Sequence, residues 1–294
     1  MRDFASCFSE HAIKVSDSSC SGNSGRSASV QNTVACVYRT QLSTGKQLII
    51  TVTWCRNQMG HLLSLNVDDD PSCVCKVDTT SWQFWKKKGT RSLEINSTKV
   101  DVYWDLSSAR YAAGPEPIDN FYVAVVADGE IVLLLGDMDE EAAMKKNNIT
   151  TPIANFFLIA RKEYVSGKAV YSTKAQFVDH GLCHDILIKC GGENGGVKDP
   201  ELSVCIDQKK VIHVKKLQWK FRGNQTIFVD GLPVDMMWDV HDWFFNSSAS
   251  GDAVFLFRPR NGLDSRLWLE EKLLPKKDVG GAGFSLLIYA CKSP

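Results

Sequence analysis

Residues 219–239 read WKFRGNQTIFVDGLPVDMMWD, and residues 85–105 read WKKKGTRSLEINSTKVDVYWD. A shift of 134 residues aligns the two stretches without a gap, with identical Trp, Gly, Val-Asp and Trp-Asp residues at matching positions. Each stretch alternates apolar and polar residues on both sides of a short polar interruption, which is the period of a half-buried β-strand. The two stretches therefore predict one β-hairpin that occurs twice in the chain.

The turns of the two hairpins are expected at residues 96–99 and 230–233, where polar and turn-forming residues interrupt the alternation. Asp-Gly in the second turn readily adopts the positive φ angles that a tight hairpin requires. The two-residue period places Trp104 and Trp238 on the core side, so we expect both to be mostly buried. Four carboxylates on the opposite side are expected to be mostly exposed: Asp101, Asp105, Asp235 and Asp239. We interpret them as groups that protect a strand edge rather than as catalytic or metal-binding residues.

The repeat extends beyond the hairpins when small insertions are allowed. Residues 65–68 match residues 204–207, and residues 156–160 match residues 284–288. An ancestral duplication explains these matches most economically. The alternative is that unrelated hairpins resemble one another for physical reasons.

The chain from residue 31 onward is typical of a mainly β protein. Runs rich in Val, Ile, Thr and aromatic residues alternate with turn residues, and the better helix candidates are residues 139–146 and 264–274. We predict two tandem homologous units of the β-sandwich or β-barrel type, each with one short helix. The sequence leaves open whether these units are separate domains or are fused into one body.

Three segments are predicted along the chain. Residues 1–31 form a flexible N-terminal tail, because their second half is rich in Ser and Gly and nearly lacks bulky apolar side chains. Residues 1–15 have apolar residues at helical spacing, so this part is either a short helix or an untethered tail. The first β unit is predicted to span residues 32–163, and the second residues 164–294.

The composition argues against several classes of protein. The 294 residues include 34 Lys and Arg and 34 Asp and Glu, so the formal net charge is 0 and nucleic acid is not expected as a partner. No apolar run approaches the roughly 18 residues of a membrane helix, and no signal peptide is recognisable. The ten cysteines are therefore expected to be reduced thiols in a protein of the cytoplasm or the nucleus.

Charge is nevertheless distributed unevenly along the chain. Residues 115–144 contain eight acidic and no basic residues, whereas residues 198–223 contain seven basic and three acidic residues. Opposite poles of this kind either steer a partner or a second copy of the chain, or are ordinary solvated surfaces.

The sequence contains no glycine-rich phosphate loop, no nucleophile elbow and no HExxH helix. His180, Cys183 and His184 lie close together in the sequence, as do Cys73 and Cys75, but their spacing is not that of a zinc site. We therefore predict no catalytic residue, no metal and no cofactor.

Cationic residues beside aromatic residues are the feature that best indicates binding, because such loops can hold phosphate groups. They occur at matching positions of the two repeats, and the segment after the second hairpin adds a histidine and a tryptophan. The candidate binding residues are Trp82, Trp85, Lys86, Lys87, Lys88, Arg91, Trp219, Lys220, Arg222, His241 and Trp243.

These residues favour a non-enzymatic binding or interaction protein whose partner is an unknown protein or a small apolar or phosphorylated ligand. The alternative is a carrier with an apolar molecule such as a lipid inside a β-barrel, and the third hypothesis is an enzyme of unknown type. A filled core with exposed tryptophan favours the first hypothesis, and an enclosed apolar cavity favours the carrier. A cleft with a close Cys–His or Asp–His pair favours the enzyme.

Several long strings of the sequence resemble a plant family known as domain of unknown function 868. They include MRDFASCFSEHAIKVSDSSC, VDVYWDLSSARYAAGPEPIDNFYVAVVADGE, LQWKFRGNQTIFVDGLPVDMMWDVHDWFF and GFSLLIYAC. The resemblance spans nearly the whole chain and implies a plant source. It implies no activity, so no catalytic residue follows from it.

Overall fold

The computed structural model describes residues 30–58, 60–68, 74–78, 87–95, 98–137, 145, 153–167, 170–178, 181–191, 200–245, 251–260 and 284–291. The predicted tail lies outside the described residues up to residue 29. The predicted helices at 139–146, apart from Lys145, and at 264–274 also lie outside them. Within the described part the chain is mainly β, as the alternating pattern predicts.

The described residues before position 137 form ten strands: β1 (Val30–Gln41), β2 (Gln47–Asn57), β3 (Gly60–Val67), β4 (Val74–Asp78), β5 (Lys88–Ile95), β6 (Thr98–Asp105), β7 (Arg110–Tyr111), β8 (Pro117–Asp119), β9 (Tyr122–Ala127) and β10 (Glu130–Gly136). The described residues after it form nine more: β11 (Phe156–Ser166), β12 (Val170–Gln176), β13 (Cys183–Cys190), β14 (Leu202–Ile206), β15 (Lys209–Val214), β16 (Arg222–Val229), β17 (Leu232–Asp239), β18 (Asp252–Pro259) and β19 (Ser285–Cys291). One short helix, α1 (His241–Phe245), lies between β17 and β18.

One nine-stranded sheet runs through the molecule in the order β16-β17-β18-β19-β11-β1-β2-β3-β4. Two four-stranded sheets accompany it, in the orders β10-β9-β6-β5 and β12-β13-β14-β15, and β7 and β8 form a small ribbon. β11 joins the halves, because it pairs antiparallel with β1 on one side and parallel with β19 on the other. None of the sheets built from the described strands closes into a barrel, so the barrel form of the prediction is wrong.

Each four-stranded sheet shares a hydrophobic core with one part of the nine-stranded sheet. The first core is built from side chains of β2 to β4 and of β5, β6, β9 and β10. The second is built from β12 to β15 and β16 to β19, together with Val165 of β11. The nine-stranded sheet is thus one layer of both sandwiches, and both cores are filled by side chains with almost no solvent exposure.

The two predicted hairpins are present, and their bounds differ by 134 residues at each end. Their registers differ by the same shift, since Gly89 pairs with Trp104 and Gly223 pairs with Trp238. The turn of the second hairpin is Asp230-Gly231, and both residues have positive φ. The turn of the first lies outside the described residues, between the paired ends of β5 and β6.

Burial of the hairpin side chains departs from the prediction in one respect. Both tryptophans lie on the core side as predicted, because Trp238 is buried and Trp104 packs, partly buried, against the first core. The four hairpin aspartates are partly covered rather than mostly exposed, because each forms an ion pair with a nearby cation: Asp101 with Lys99, Asp105 with Lys88, Asp235 with Arg260 and Asp239 with Arg222. They do not protect an edge, since β6 and β17 each have a strand on both sides.

One of the two alignment extensions corresponds to a shared local structure. Asp68 and Asp207 each follow a strand with positive φ. The carboxylate of Asp68 accepts a hydrogen bond from the backbone N–H of Ile49, and that of Asp207 accepts one from Asp185. The other extension matches β11 with β19, and these strands lie side by side in the nine-stranded sheet.

The described cysteines are mostly free thiols: Cys36, Cys55, Cys75, Cys183, Cys190 and Cys291. Cys205 is disulfide-bonded, which departs from the expectation of uniformly reduced thiols. Among the described residues, no helix has the length and apolar character needed to cross a membrane.

Candidate functional site

The first aromatic-basic loop is described only at its C-terminal end, because Trp82, Trp85 and Lys86 lie outside the described residues. Lys87 and Lys88 lead into β5, where the Nζ atom of Lys88 is 3.2 Å from the carboxylate of Asp105. Arg91 acts on the thiol of Cys75 in β4, because burial raises the pKa of this thiol and the nearby guanidinium opposes the rise. Lys88 and Arg91 are therefore engaged with neighbouring strands.

The second aromatic-basic loop faces solvent. Trp219 is 79% exposed, the largest exposed fraction among the described large hydrophobic residues, and Lys220 is also exposed. The guanidinium of Arg222 lies 2.7 Å from Asp239 and 5.7 Å from the ring centroid of Phe221. Trp219 and Lys220 are therefore available to a partner, whereas Arg222 has a carboxylate partner.

Helix α1 adds aromatic side chains to this surface. The ring of Phe221 lies 5.2 Å from that of His241 and 5.7 Å from that of Phe245, so the loop and the helix form one patch. Trp243 is buried, and its ring contacts Tyr171 edge-on at 6.1 Å. Because a helix turns about 100° per residue, Trp243 points away from the side of its neighbours at 241 and 245. The structure thus places Trp243 in the core, in contrast to its predicted contact role.

A groove of about 680 Å³ lies beside this patch, between β15 and β16. Its walls are the facing edge strands of the two sheets of the second sandwich. The side chains of Lys209, Val211 and His213 line one wall, and Lys220 lies at one end. The other wall is β16, with the 73% exposed Phe228 at the opposite end.

Two lysines, Lys209 and Lys220, line the groove, and neither forms an ion pair with a described acidic residue. Lys210, Lys215 and Lys216 lie in the same stretch of sequence and likewise have no ion pair with a described acidic residue. No acidic residue occurs between residues 208 and 229 of the sequence. The described residues that line the groove thus include two lysines and no acidic residue, which favours an anionic group.

The groove also contains one imidazole–carboxylate pair, in which His213 Nε2 lies 2.7 Å from Glu201 Oε2. This pair partly meets the criterion for an enzyme. The described lining residues, however, include no serine or cysteine that the pair could activate. The hydroxyl of Thr226, which also lines the groove, donates its hydrogen bond to Asp235.

One end of the groove is held by His184, which is 5% exposed. Its Nδ1 lies 2.6 Å from Asp207, in the turn between β14 and β15, and its Nε2 lies 2.9 Å from Asp230, in the turn between β16 and β17. The imidazole thus connects the turn before β15 with the turn after β16, and these two strands are the walls of the groove. We call these three residues the His184 clamp.

The carboxylates favour the charged form of the clamp histidine. Burial of the ring opposes protonation, but the hydrogen bonds to Asp207 and Asp230 outweigh it and raise the pKa of His184. The hydrogen bond from His184 in turn lowers the pKa of Asp207. Neither ring nitrogen is free for a metal, and the described residues contain no group of three or more metal ligands. Cys183 is exposed beside the clamp, and His180 lies outside the described residues.

The described carboxylates of the acidic pole, which lie within residues 115–137, form internal contacts. Asp119 pairs with Arg110, and Glu130 accepts hydrogen bonds from the backbone N–H and the hydroxyl of Ser43. Glu116 accepts two hydrogen bonds from the guanidinium of Arg161. These carboxylates stabilise loops of the first half. The groove lysines differ from them, because they have no ion pair with a described residue of opposite charge.

Arg161 belongs to a buried polar cluster between the halves. Its Nε donates to Glu163 at 2.6 Å, and Glu163 also accepts from Thr173 in β12. Glu163 is fully buried. Burial also raises the pKa of the neighbouring Cys36 thiol to about 11, so this thiol is protonated near neutral pH. The cluster connects a loop of the first half with a strand of the second, and its thiol is unsuited to nucleophilic chemistry.

The sequence predicted Trp219, Lys220, Arg222 and His241 as candidates, and the structure brings all four to one end of the second sandwich. The sequence did not predict the groove wall formed by β15 or the His184 clamp. The alternation of Lys209, Val211 and His213 signals that these side chains share a face. Only the packing of two sheets shows that this face meets β16.

Comparison with known proteins agrees with the resemblance noted in the sequence. No curated protein and no solved structure matches the chain. The model of a family described as plant protein of unknown function (DUF868) matches residues 29–292, which is nearly the whole chain. The protein therefore belongs to the DUF868 family of plant proteins.

Proposed function

We propose that this protein is a non-enzymatic binding protein that receives an anionic partner in the groove between β15 and β16. The observation that carries this proposal is that Lys209 and Lys220 line the groove without an ion pair to a described residue, and that no acidic residue is among the described lining residues. Charges of one sign that line a concave surface attract opposite charge and raise the rate of association. Phosphate and carboxylate groups are the anions that lysine binds in proteins.

Exposed aromatic residues beside the cations support the same function. Phe228, which lines the groove, is 73% exposed, and Trp219, the sequence neighbour of the lining residue Lys220, is 79% exposed. Aromatic residues are enriched at the energetically important positions of protein interfaces. A partner that combines negative charge with apolar groups would use both features.

The two alternative functions have less support. A carrier needs an enclosed apolar lumen, whereas the described sheets are open and both cores are filled by buried side chains. An enzyme needs a reactive group, and the pair His213–Glu201 has no nucleophile beside it among the described lining residues.

We also propose that the two halves are homologous units derived by duplication. The matching hairpin registers support this proposal, as do the matched contacts of Asp105 and Asp239 with cations. By this proposal the first unit carries a related surface near β4 and β5, where Lys88 and Arg91 lie.

Binding of a fluorescent polyphosphate to the full chain tests the function. We expect affinity to fall with added salt, because exposed charges are screened at high ionic strength. The double variant Lys209→Ser with Lys220→Ser should bind about tenfold more weakly, which corresponds to ~1.4 kcal/mol. The double variant Lys162→Ser with Lys174→Ser is the control, because it removes the same charge from exposed positions outside the groove. Equal losses in both variants would argue against a specific groove site.

A further inference from the structure

The wall of the groove formed by β16 is an edge of the nine-stranded sheet as far as the described strands go. β16 is the terminal strand of the nine-stranded sheet, and no described strand pairs with its outer side. Edge strands present rows of N–H and C=O groups that can pair with another chain.

The hairpin register identifies which backbone groups face outward. With a two-residue turn, the flanking pair Val229–Leu232 is hydrogen-bonded, and hydrogen-bonded pairs then alternate with non-hydrogen-bonded pairs. The carbonyl of Pro233 accepts a hydrogen bond at 2.8 Å from Arg260, beyond β18, and so points away from β16 as this alternation requires. The outward groups of β16 are therefore those of four residues: Arg222, Asn224, Thr226 and Phe228.

These outward groups have no backbone hydrogen-bond partner among the described residues. They lie along the groove, and three of the four residues line it directly. A strand paired with this edge would lie about 4.8 Å from β16. About seven residues would span the exposed edge at ~3.3 Å per residue.

We propose that the groove binds an extended acidic peptide segment of a partner protein as an additional β-strand on β16. This inference rests on the proposed anion-binding function and adds the chemical class and conformation of the partner. Backbone hydrogen bonds to β16 hold the segment, and side-chain contacts with the groove give selectivity, as in other cases of strand addition. Lys209 at one end and Lys220 at the other select carboxylate side chains over basic ones.

Two labelled peptides of ten residues test strand addition with the full chain. One alternates Glu and Val, and the other alternates Glu and Pro, so that it has the same charge but lacks every second backbone N–H. We expect the Glu-Val peptide to bind at least about tenfold more tightly. Equal binding of the two peptides overturns the inference.

Two variants of the protein test whether the backbone of β16 itself takes part in strand addition. Asn224→Pro removes one outward N–H and leaves the bonds to β17 intact, because proline is tolerated at edge positions whose N–H faces solvent. Asn224→Ala is the control and keeps the N–H group. We expect the Asn224→Pro variant to lose at least about tenfold in affinity for the Glu-Val peptide, and the Asn224→Ala variant to bind like the wild type. Thermal unfolding establishes that both variants are folded, and the peptide pair decides the question if the proline variant is not.

A polyphosphate arm separates failure of this inference from failure of the proposed function. If polyphosphate binding depends on Lys209 and Lys220 while the two peptides bind equally, the groove is an anion site without strand addition. If a single-stranded oligonucleotide of equal charge binds more tightly than the Glu-Val peptide, the acidic peptide is overturned as the partner. If neither polyphosphate nor peptide binds, both proposals fail.

Discussion

The indole of Trp238 covers its cross-strand partner Gly223 so closely that no Cβ atom fits at position 223. Trp104 covers Gly89 in the same way, and a Cβ atom there would lie 2.8 Å from Cζ2 of the indole. The indole of Trp238 also donates a hydrogen bond from Nε1 to the carbonyl of Lys220 at 2.9 Å. The glycine thus makes room for a tryptophan that ties the start of β16 to the core.

Gly223→Ala should destabilise the protein, because the added methyl group displaces the Trp238 ring. Overpacking of this kind costs about 1–3 kcal/mol. Urea unfolding measures the change, with Asn224→Ala at an exposed neighbouring position as the control. In a Trp238→Phe background the same Gly223→Ala change should cost less, because the smaller ring leaves space. A full cost in that background would show that contact with the indole is not the cause.

Trp238→Ala should cost on the order of 3–5 kcal/mol, as is typical for truncation of a buried large aromatic residue. Trp104→Ala should cost less, because Trp104 is only partly buried. Phe228→Ala provides the exposed control and should change stability by no more than about 0.5 kcal/mol. Chemical denaturation of the three variants tests this order, and a Trp104 effect equal to that of Trp238 would contradict it.

The His184 clamp should make stability depend on pH in a defined direction. Because the folded state raises the pKa of His184, its contribution is complete below the unfolded value of about 6.5 and is lost as pH rises through the higher folded pKa. The lowered pKa of Asp207 adds a contribution that is present above its unfolded value and is lost as pH falls through the folded one. The difference in unfolding free energy between wild type and His184→Gln should therefore be largest at mildly acidic pH and shrink on the alkaline side.

His61 provides a contrast of opposite sign. Burial, followed by the charge of Arg56, lowers the pKa of His61, so protonation of this ring favours the unfolded state. The difference between wild type and His61→Gln should consequently decrease as pH falls below about 6.5. Unfolding curves from pH 4.5 to 8.5 measure both histidines, and parallel pH profiles for the two would refute the assignment.

Arg161→Met should be strongly destabilising, because it leaves the fully buried Glu163 without its guanidinium partner. Breaking a buried ion pair by removing one member costs about 3–5 kcal/mol. The double variant Arg161→Met with Glu163→Leu should recover part of this loss, since it removes the unpaired charge as well. Arg110→Met, which breaks an exposed pair with Asp119, should have little effect on the unfolding free energy. Similar losses in the two single variants would show that burial of the Arg161 cluster does not determine its energy.

Local sequence signals determined the strands and the hairpins of this protein. Alternation with a period of two requires only neighbouring residues, and Asp230-Gly231 specifies a turn through its own backbone preferences. Both repeats have Gly and Trp at matching positions, because the two residues contact each other across the strands of one hairpin. The exposure of the predicted candidates Trp219 and Lys220 also has a local cause, because both residues lie in the connection between β15 and β16.

Only the tertiary structure decided how the halves combine. β11 pairs with β1 and with β19. Each of these strands lies more than a hundred residues from β11 in the sequence, and no local pattern encodes so distant a partner. The alternation predicted which face of the strand the hairpin aspartates lie on. It did not predict the cations beside them, such as Lys88 next to Asp105 and Arg260 next to Asp235, which partly cover their carboxylates. Trp243 was predicted as a candidate binding residue, but the packing of helix α1 buries its ring in the second core.

The candidate site shows the same division. The sequence by itself determined that residues 209–222 are basic and that aromatic residues lie beside them. It did not determine that Lys209 and Phe228 line the same groove, or that His184 connects the turns at the end of that groove. Those contacts arise from the packing of two sheets, where the relative position of distant strands depends on the fit of the whole core rather than on any one segment.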